Sequence, residues 1–234
     1  MPSFADFDTR SYRTVDIRTG YNQWAETYER TVEDEMDVAL LRDLKTPQWD
    51  SFRTAADLGC GTGRTGAWLQ SQGIETIDGV DLAQAMLRLA EDKNVYRRLE
   101  ESDVASTPLT TATYDLVVAC LVDEHLPSLD PLYREAARLA IAGGLFILVG
   151  YHPFFIMATG MPTHYNSPSG EPLAIETHVH LLSEHVAAAG QSGWQLREMK
   201  ERLVDDSWIE LKPKWERFRN HPFSFATVWE KTSP

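Results

Sequence analysis

Short apolar runs alternate with amphipathic stretches through the middle of the chain. Strands are predicted at 54–58, 76–80, 114–122 and 145–150, where short apolar runs lie, and a weaker strand signal covers 97–101. Between them, apolar positions recur at helical spacing in stretches that begin near Gly63 and cover 83–92 and 129–140. Strands that alternate with helices in this way predict βαβ units and a parallel sheet covered on both faces.

The chain before the first of these strands divides into a polar start and a helical stretch. Residues 1–20 are polar, and we predict a mobile segment there. From 21 to 45 apolar residues recur at helical spacing, and Pro47 ends the pattern.

The alternation of strand-length and helical stretches ends after the predicted strand at 145–150. Residues 152–180 are rich in proline and glycine, and we predict a long loop there, of the kind that usually carries function. A helix is predicted for 183–189 and a strand for 194–204. The last strand is predicted at 223–229, where it could pair antiparallel with the strand before it.

Composition narrows the class of protein. The chain has 234 residues, 43% of them hydrophobic, which suffices for a large core, and no apolar stretch has the length of a membrane span. The net charge of −13 disfavours a nucleic acid as partner. The start lacks the apolar core of a signal peptide, and Cys60 and Cys120 do not make a disulfide framework. We therefore expect a reducing, cytoplasmic location and no membrane partner. The sequence leaves the oligomeric state open.

A glycine-rich turn follows the first strand of this series. It runs from Asp57 through Gly59, Gly61 and Gly63, and Asp81 closes the next strand. Ligands of doubly wound sheets bind at the carboxyl ends of the strands, so both carboxylates would face one crevice. Bare backbone allows close approach, and carboxylates suit an ammonium group and a ribose, whereas a pyrophosphate would be repelled. The pattern favours a nucleoside cofactor that carries an amine.

The same glycines allow a second register. Gly61, Gly63 and Gly66 match the dinucleotide fingerprint, and Asp81 lies 20 residues beyond Gly61. This register indicates a nicotinamide- or flavin-dependent oxidoreductase, but it would place Asp57 inside the strand, which is unfavourable. A turn that serves only the packing of helix on strand is the third interpretation.

Six short motifs follow one another in order along the chain. They are Tyr21 to Tyr28, Asp57 to Gly63, Gly79 to Leu82 with Met86, Ser102 to Val104, Tyr114 to Val118, and Glu135 to Leu139 with Gly143 and Gly144. Together they resemble the class I S-adenosylmethionine-dependent methyltransferases, and most of all the small-molecule branch that includes quinone C-methyltransferases and carboxyl O-methyltransferases. The resemblance covers about 21–150 and, more loosely, 183–229. It departs from the family at Ala142, where proline is usual, and at 123–126, where Asp-Glu-His-Leu replaces a frequent histidine pair before leucine.

The resemblance implies a doubly wound, Rossmann-like α/β fold whose seven-stranded sheet is mostly parallel, with an antiparallel last strand. It implies a single domain over 21–234, with lid helices at 21–50, a cofactor-binding core at 54–151, and substrate-side insertions at 152–180 and 205–222. The expected function is transfer of a methyl group from S-adenosylmethionine to a small molecule, with the acceptor atom open between O, N and C. A protein of this fold that binds the cofactor without transferring methyl is the alternative.

The resemblance also implies a cofactor site. Asp57 and the glycine turn would seat the methionine part, Asp81 the ribose, and Asp103 with Leu82 the adenine, and Tyr21 would lie over the cofactor. The residues expected to contact it are Tyr21, Tyr28, Asp57, Gly59, Cys60, Gly61, Gly63, Asp81, Leu82, Met86, Asp103, Val104 and Cys120.

Candidates for chemistry on the acceptor follow two of the predicted strands. Glu124 and His125 come after 114–122, and His152 comes after 145–150. A base is needed only if the acceptor loses a proton, and each of these side chains could serve as one. A packing role is the alternative for both histidines.

The roles of two further sets of residues stay open. His178 and His180, with His185, could share a face, but they lack a defined spacing to a further ligand, so we expect no metal and favour pocket lining. The aromatic and basic segment from Trp208 to Arg219 is either a wall for an aromatic or anionic substrate or a solvated loop.

Overall fold

The computed structural model describes residues 3–32 and 36–232. Its strands, in chain order, are β1 (Arg13–Val15), β2 (Thr54–Leu58), β3 (Thr76–Asp81), β4 (Arg98–Glu101), β5 (Tyr114–Cys120), β6 (Ala140–Tyr151), β7 (His164–Asn166), β8 (Pro172–Ile175), β9 (Trp194–Leu203) and β10 (Pro222–Lys231). Its α-helices are α1 (Ile17–Thr31), α2 (Met36–Asp43), α3 (Arg64–Ser71), α4 (Gln84–Asp92), α5 (Asp130–Leu139), α6 (Pro153–Thr159), α7 (Leu182–Gln191) and α8 (Asp206–Leu211). Within the two described ranges, no helix is long and apolar enough to cross a bilayer.

Seven of the strands form one sheet in the order β4-β3-β2-β5-β6-β10-β9. Neighbours from β4 to β6 pair in parallel, and β10 pairs antiparallel with both β6 and β9. The predicted seven-stranded, mostly parallel sheet with an antiparallel last strand is therefore confirmed. The strand order reverses between β2 and β5, and the crevice at their carboxyl ends is the place where open α/β sheets bind ligands.

The core lies on both faces of this sheet, as the uninterrupted apolar runs predict. Along β6, Phe146 and Leu148 belong to the cluster that includes α5 and α7, whereas Ile147 and Val149 belong to the cluster that includes α2 and α3. All four side chains are almost fully buried, and each contributes about 1.5–3 kcal/mol to folding. A central strand buried on both faces is mostly apolar, which is why this region was readable from sequence.

The amino-terminal region differs from its prediction. Asp16 caps α1, since its side chain accepts a hydrogen bond from the Thr19 N–H at 2.9 Å. The helical stretch predicted for 21–45 is two helices, α1 and α2, and its residues 33–35 lie outside the described part of the chain. The segment 1–20, where the pattern predicts no element, contains β1 and the first turn of α1.

The segment 152–180 also differs, because it contains α6, β7 and β8 and is not one long loop. β8 pairs in parallel with β1 and antiparallel with β7, which gives a separate three-stranded sheet. The ring of Trp24, on α1, stacks on the ring of Tyr165 with centroids 5.7 Å apart, and both pack on Ile175. The small sheet therefore holds α1 in place over the ligand-binding end of the large one.

The segment 205–222 contains α8 and a 3-10 turn over Pro213–Phe218. Trp208 stacks on Phe223 of β10 with ring centroids 4.3 Å apart, and Trp215 stacks on Phe155 of α6 at 4.5 Å. Both tryptophans are buried. The aromatic part of this segment therefore belongs to the core that carries α6.

Candidate active site

A first cavity lies at the carboxyl ends of β2, β3 and β5, under α1. It contains about 1000 Å³ of space free of protein atoms, part of it open to solvent. Most of the residues expected to contact the cofactor line it, namely Tyr21, Tyr28, Gly59, Cys60, Gly61, Asp81, Leu82, Met86, Asp103, Val104 and Cys120. The two remaining members of that set, Asp57 and Gly63, are not among the lining residues.

The glycine turn and the end of β3 are joined at the floor of this cavity. Gly61 has a φ of +52°, and a Cβ placed there would meet no atom within 4 Å, so its bare face opens on free space. The Gly61 N–H donates to Asp81 Oδ2 at 2.8 Å, and the Ala83 N–H donates to Asp81 Oδ1 at 2.8 Å. Burial raises the pKa of Asp81, and these backbone donors oppose that shift. The carboxylate is fixed in place and keeps lone pairs for further donors.

Asp57 is the second carboxylate of the motif, and it is 1% exposed. Its Oδ2 accepts a hydrogen bond from the Tyr96 hydroxyl at 2.7 Å. Its Oδ1 is buried and has no hydrogen-bond partner among the described residues. Burial raises the pKa of Asp57 to about 7, and the Tyr96 hydrogen bond works in the opposite direction. A buried acceptor without a donor is costly, and an ammonium group or a water could satisfy it.

Gly66, the third glycine of the dinucleotide register, does not line the first cavity. A Cβ at Gly66 would lie 2.3 Å from both Oη and Cζ of Tyr96. The absence of a side chain at this position is explained by the approach of a tyrosine ring. No cofactor phosphate is needed to account for it.

Helix α1 covers the first cavity, and a hydrogen bond joins it to His125 on the opposite wall. His125 Nδ1 lies 2.7 Å from the Glu176 carbonyl oxygen, which can only accept, so this nitrogen carries a proton. His125 Nε2 lies 2.8 Å from the Tyr21 hydroxyl, which donates to it in the neutral ring. His125 thus links α1, the end of β5 and the segment after β8, and both of its ring nitrogens are occupied.

Sequence reasoning missed one ion pair on the wall. Asp37 of α2 and Arg64, the first residue of α3, both line the first cavity. The Arg64 Nε and Nη2 donate to Asp37 Oδ2 at 3.2 and 3.0 Å. Arg64 directly follows the glycine motif and could have been suspected. Nothing in the local pattern marks Asp37, which enters the site only through the packing of α2.

A second cavity lies beside the first, between α1, α6, β7 and the turn at Pro213–Phe218. It contains about 1920 Å³ of empty space, again including space open to solvent. Its aromatic walls are Trp24, Tyr151, Phe155, Tyr165 and Trp215. Lys212 and Lys214 also line it. The segments 152–180 and 205–222 therefore meet at one cavity.

Glu124 lines the second cavity, and His125 lines the first. Glu124 Oε1 lies 3.7 Å from His125 Nε2, so the two cavities are separated here by the thickness of adjacent side chains. Glu124 is 3% exposed, and its Oε2 has no hydrogen-bond partner within the described ranges. The neighbouring Asp123 is also buried, and burial together with the charge of Glu124 raises its pKa well above the usual range. Glu124 is thus the ionisable group placed between the two spaces.

His152 lies apart from both cavities, since it is among the lining residues of neither. Its Nδ1 accepts from the Phe154 N–H at 3.2 Å and caps α6, and its Nε2 lies 2.8 Å from Glu201 Oε1. The structure therefore does not bring His152 together with Glu124 and His125. Its position after β6 suits a helix cap.

The rings of His178, His180 and His185 lie next to one another, with neighbouring centroids 6.3 Å apart, and His178 and His180 line a third cavity. His180 Nε2 donates to the Leu126 carbonyl oxygen at 2.7 Å, and His185 Nδ1 lies 3.0 Å from the Tyr133 hydroxyl. Burial lowers the pKa of His185 to about 3, so its ring is neutral. In the described part of the chain, no three His, Cys, Asp or Glu side chains form a group that could hold a metal ion.

The fold and the site define a class of protein. A Rossmann-like sheet opens at its switch point into a cavity lined by the fixed carboxylate of Asp81. The glycine turn at its floor follows Asp57, whose Oδ1 has no hydrogen-bond partner among the described residues. This arrangement fits a nucleoside cofactor that carries an amine. Residues 56–148 match the family model described as a methyltransferase domain. This match falls on the strands and helices that build the first cavity.

Curated relatives and a solved structure agree with this match. The chain is 26% identical to the uncharacterized methyltransferase YcgJ of Bacillus subtilis, over 82% of this chain and 78% of YcgJ. It is 31% identical to the malonyl-[acyl-carrier protein] O-methyltransferase of Legionella pneumophila, over 59% of this chain and 50% of that protein. The crystal structure of an S-adenosylmethionine dependent methyltransferase from Mesorhizobium loti superposes with a TM-score of 0.64 at 21% identity, over 82% of this chain and 96% of the other.

Residues 56–148 carry a methyltransferase domain, and the resemblance to the class I S-adenosylmethionine-dependent methyltransferases drawn from the sequence is confirmed. S-adenosylmethionine is the cofactor of this family. The chain spans between about a third and just over three quarters of the length of the curated relatives it matches.

Proposed function

We propose that this protein transfers the methyl group of S-adenosylmethionine to a small molecule bound in the second cavity. The observation that carries the proposal is the junction of the two cavities at His125 and Glu124, whose side chains are 3.7 Å apart. A methyltransferase needs a donor site and an acceptor site that meet at one point, and this pair marks such a point.

The residues of the first cavity suit the parts of the cofactor. Gly59 and Gly61 would lie beside the methionine part, with Asp57 satisfied by its ammonium group directly or through one water. Asp81 has lone pairs left for the ribose hydroxyls, and Met86 and Val104 offer apolar contacts to the adenine. Asp103 would accept from the adenine amino group, and Leu82, Cys60, Cys120, Tyr21 and Tyr28 complete the set. When bound, the cofactor supplies an electrophilic methyl group on a sulfonium.

The chain itself supplies orientation, exclusion of water and, where needed, a base. Tyr21 and Trp24 of α1 stand between the two cavities, with stacked rings 6.0 Å apart. Holding two reactants in line lowers the barrier by about 7–11 kcal/mol, and a closed cover strengthens the effect by excluding water. We infer that α1 and the small sheet serve this purpose.

Glu124 is our candidate for the group that accepts a proton from the acceptor. Its Oε2 is buried without a partner, whereas both ring nitrogens of His125 and of His152 are already hydrogen bonded. We therefore assign His125 to the positioning of Tyr21. The acceptor that fits best has a flat apolar body for the aromatic walls and a hydroxyl or amine directed at Glu124.

The assignment of the first cavity is tested by the affinity for S-adenosylhomocysteine, measured by calorimetry. Asp81→Ala removes a charged partner of the ribose, and affinity should fall about tenfold to a hundredfold. Asp115→Ala is the matched control, because Asp115 also accepts two backbone N–H bonds, from Arg53 and Thr54, but at the opposite end of β2. Equal affinity in the wild type and Asp81→Ala would contradict the assignment.

Catalysis is tested separately with a methyl-labelled cofactor and a panel of small hydroxyl, amine and carboxylate compounds. A methyltransferase gives a labelled product with at least one of these compounds. A protein that only binds the cofactor shows affinity for S-adenosylhomocysteine and no labelled product.

A further inference from the structure

Tyr96 lies between α4 and β4 and occupies a space that glycines leave open. Its hydroxyl donates to Asp57 Oδ2 at 2.7 Å. Cβ atoms placed at Gly66, Gly79 and Gly63 would approach the Tyr96 side chain to 2.3, 2.9 and 3.0 Å. The three glycines therefore confine the Tyr96 ring on several sides, and its hydroxyl points at Asp57.

Apart from the Tyr96 hydroxyl and the Gly66 backbone N–H, which lower the pKa of Asp57, the groups that face this carboxyl disfavour its negative charge. The carboxylates of Asp81 and Asp37 lie close enough to raise its pKa, in addition to the larger effect of burial. Cys60 is buried, and its pKa is raised by burial and by the charge of Asp57, so it is a neutral thiol beside the carboxylate. The Tyr96 hydrogen bond lowers the pKa of Asp57 against these effects.

We propose that Tyr96 is a positioning residue for the cofactor, because it holds one oxygen of Asp57 and leaves the other for the ammonium group of S-adenosylmethionine. This inference rests on the proposed function. It assigns a role to a side chain that is outside the glycine motif and outside the first cavity, and that acts on the cofactor only through Asp57.

The role predicts a shift in how cofactor binding depends on pH. In the wild type, affinity for S-adenosylhomocysteine should fall about tenfold for each pH unit below about 7, where Asp57 takes up a proton. In Tyr96→Phe the opposing hydrogen bond is lost, so this breakpoint moves to higher pH. Affinity at pH 7 then falls about tenfold and recovers as the pH is raised, whereas the phenylalanine ring still fills the space between the glycines.

A second ligand separates this role from a loss of folding. Methylthioadenosine lacks the amino-acid part, so its affinity should be the same in the wild type and in Tyr96→Phe at every pH. Tyr114→Phe is the matched control, since the Tyr114 hydroxyl donates to the buried Asp78 at 2.5 Å in the same sheet, and Asp78 lines neither cavity. This variant should keep the wild-type profile with both ligands.

The outcomes are distinguishable. An unchanged S-adenosylhomocysteine profile in Tyr96→Phe would overturn the inference, and so would an equal loss of methylthioadenosine binding, which would mean that Tyr96 only maintains the fold. Failure of the wild type to bind either ligand would instead overturn the proposed function.

Discussion

The burial of Asp57 has a cost in stability that can be removed by a single substitution. Its carboxyl group has a pKa of about 7 in the folded chain against an ordinary 3.8, because burial disfavours the charge. That difference corresponds to about 4 kcal/mol of stability lost at pH 8 relative to acid conditions. Asp57→Asn keeps an oxygen for the Tyr96 hydroxyl and has no charge to bury.

The direction in which stability changes with pH follows from the protons bound by the folded and the unfolded chain. Between 3.8 and about 7 the unfolded carboxyl is ionised and the folded one is protonated, so the stability of the wild type falls as the pH rises through this window. Asp57→Asn lacks this loss, so its free energy of unfolding relative to the wild type should rise by about 3 kcal/mol from pH 5 to pH 8. An unpartnered amide N–H could lower the stability of the variant by about 1–3 kcal/mol, but that cost does not depend on pH.

The assay is urea unfolding of the cofactor-free protein, followed by tryptophan fluorescence at several pH values between 5 and 8. Other carboxyl groups titrate in both proteins, so the difference between the two curves isolates Asp57 and any group coupled to it. A difference that stays constant over the whole pH range would refute the electrostatic reasoning. Affinity for S-adenosylhomocysteine should fall in the same variant, which is the usual conflict between stability and function at a ligand site.

Two further substitutions test the site from other sides. Gly66→Ala should destabilise the protein by about 1–3 kcal/mol despite the better helix propensity of alanine, because the new Cβ would lie 2.3 Å from Tyr96 Oη. Gly190→Ala, in α7, is its control in urea unfolding, since a Cβ there meets nothing within 4 Å and should stabilise by up to about 1 kcal/mol. Glu124→Gln should lower the turnover of a hydroxyl or amine acceptor by about 10²–10⁴ with little change in S-adenosylhomocysteine affinity. Glu201→Gln, which changes only the partner of His152, should leave turnover near the wild-type level; an equal loss would return the proton-accepting role to His152.

The large sheet and the position of the first cavity were predictable because the signals are local. β5 from 116 to 120 and β6 from 145 to 150 are buried on both faces, so these stretches are apolar and stand out from the amphipathic helices between the strands. The glycine turn and Asp81 lie at strand ends, and parallel strands bring their carboxyl ends to one edge of the sheet. Residues near these ends therefore meet in space for reasons that the pattern contains.

The small sheet was not predictable in the same way. β1 is three residues long and β8 is four, too short for any periodicity, and they pair across about 160 residues of chain. Proline and glycine around β7 and β8 indicate a loop when only neighbours in sequence are considered. What forms these strands is packing on Trp24 and the rest of α1, which is tertiary information.

The hydrogen-bond and ion-pair partners of side chains in and near the site were likewise not predictable from the sequence. His152 looks like a base after a buried strand, yet its ring caps α6 and contacts Glu201, which lies on β9. Asp37 reaches Arg64 only because α2 packs beside α3. In each case the residue type was visible in the sequence, and its partner depended on the packing of elements far apart along the chain.

The overlap of two glycine fingerprints is resolved by what each glycine faces. Gly59 and Gly61 both line the first cavity. A Cβ at Gly61 would meet nothing within 4 Å, so its bare face is open to a ligand, whereas a Cβ at Gly59 would lie 2.3 Å from Val122 Cγ2. Gly66 faces Tyr96, so its lack of a side chain serves the tyrosine that holds Asp57. The spacing typical of a dinucleotide site thus arises here from two separate requirements, and the second supports a carboxylate that would repel a pyrophosphate. A glycine spacing alone does not distinguish these cofactors, because the third glycine of a dinucleotide site also serves packing. The distinguishing feature here is the buried carboxylate of Asp57 beside the turn.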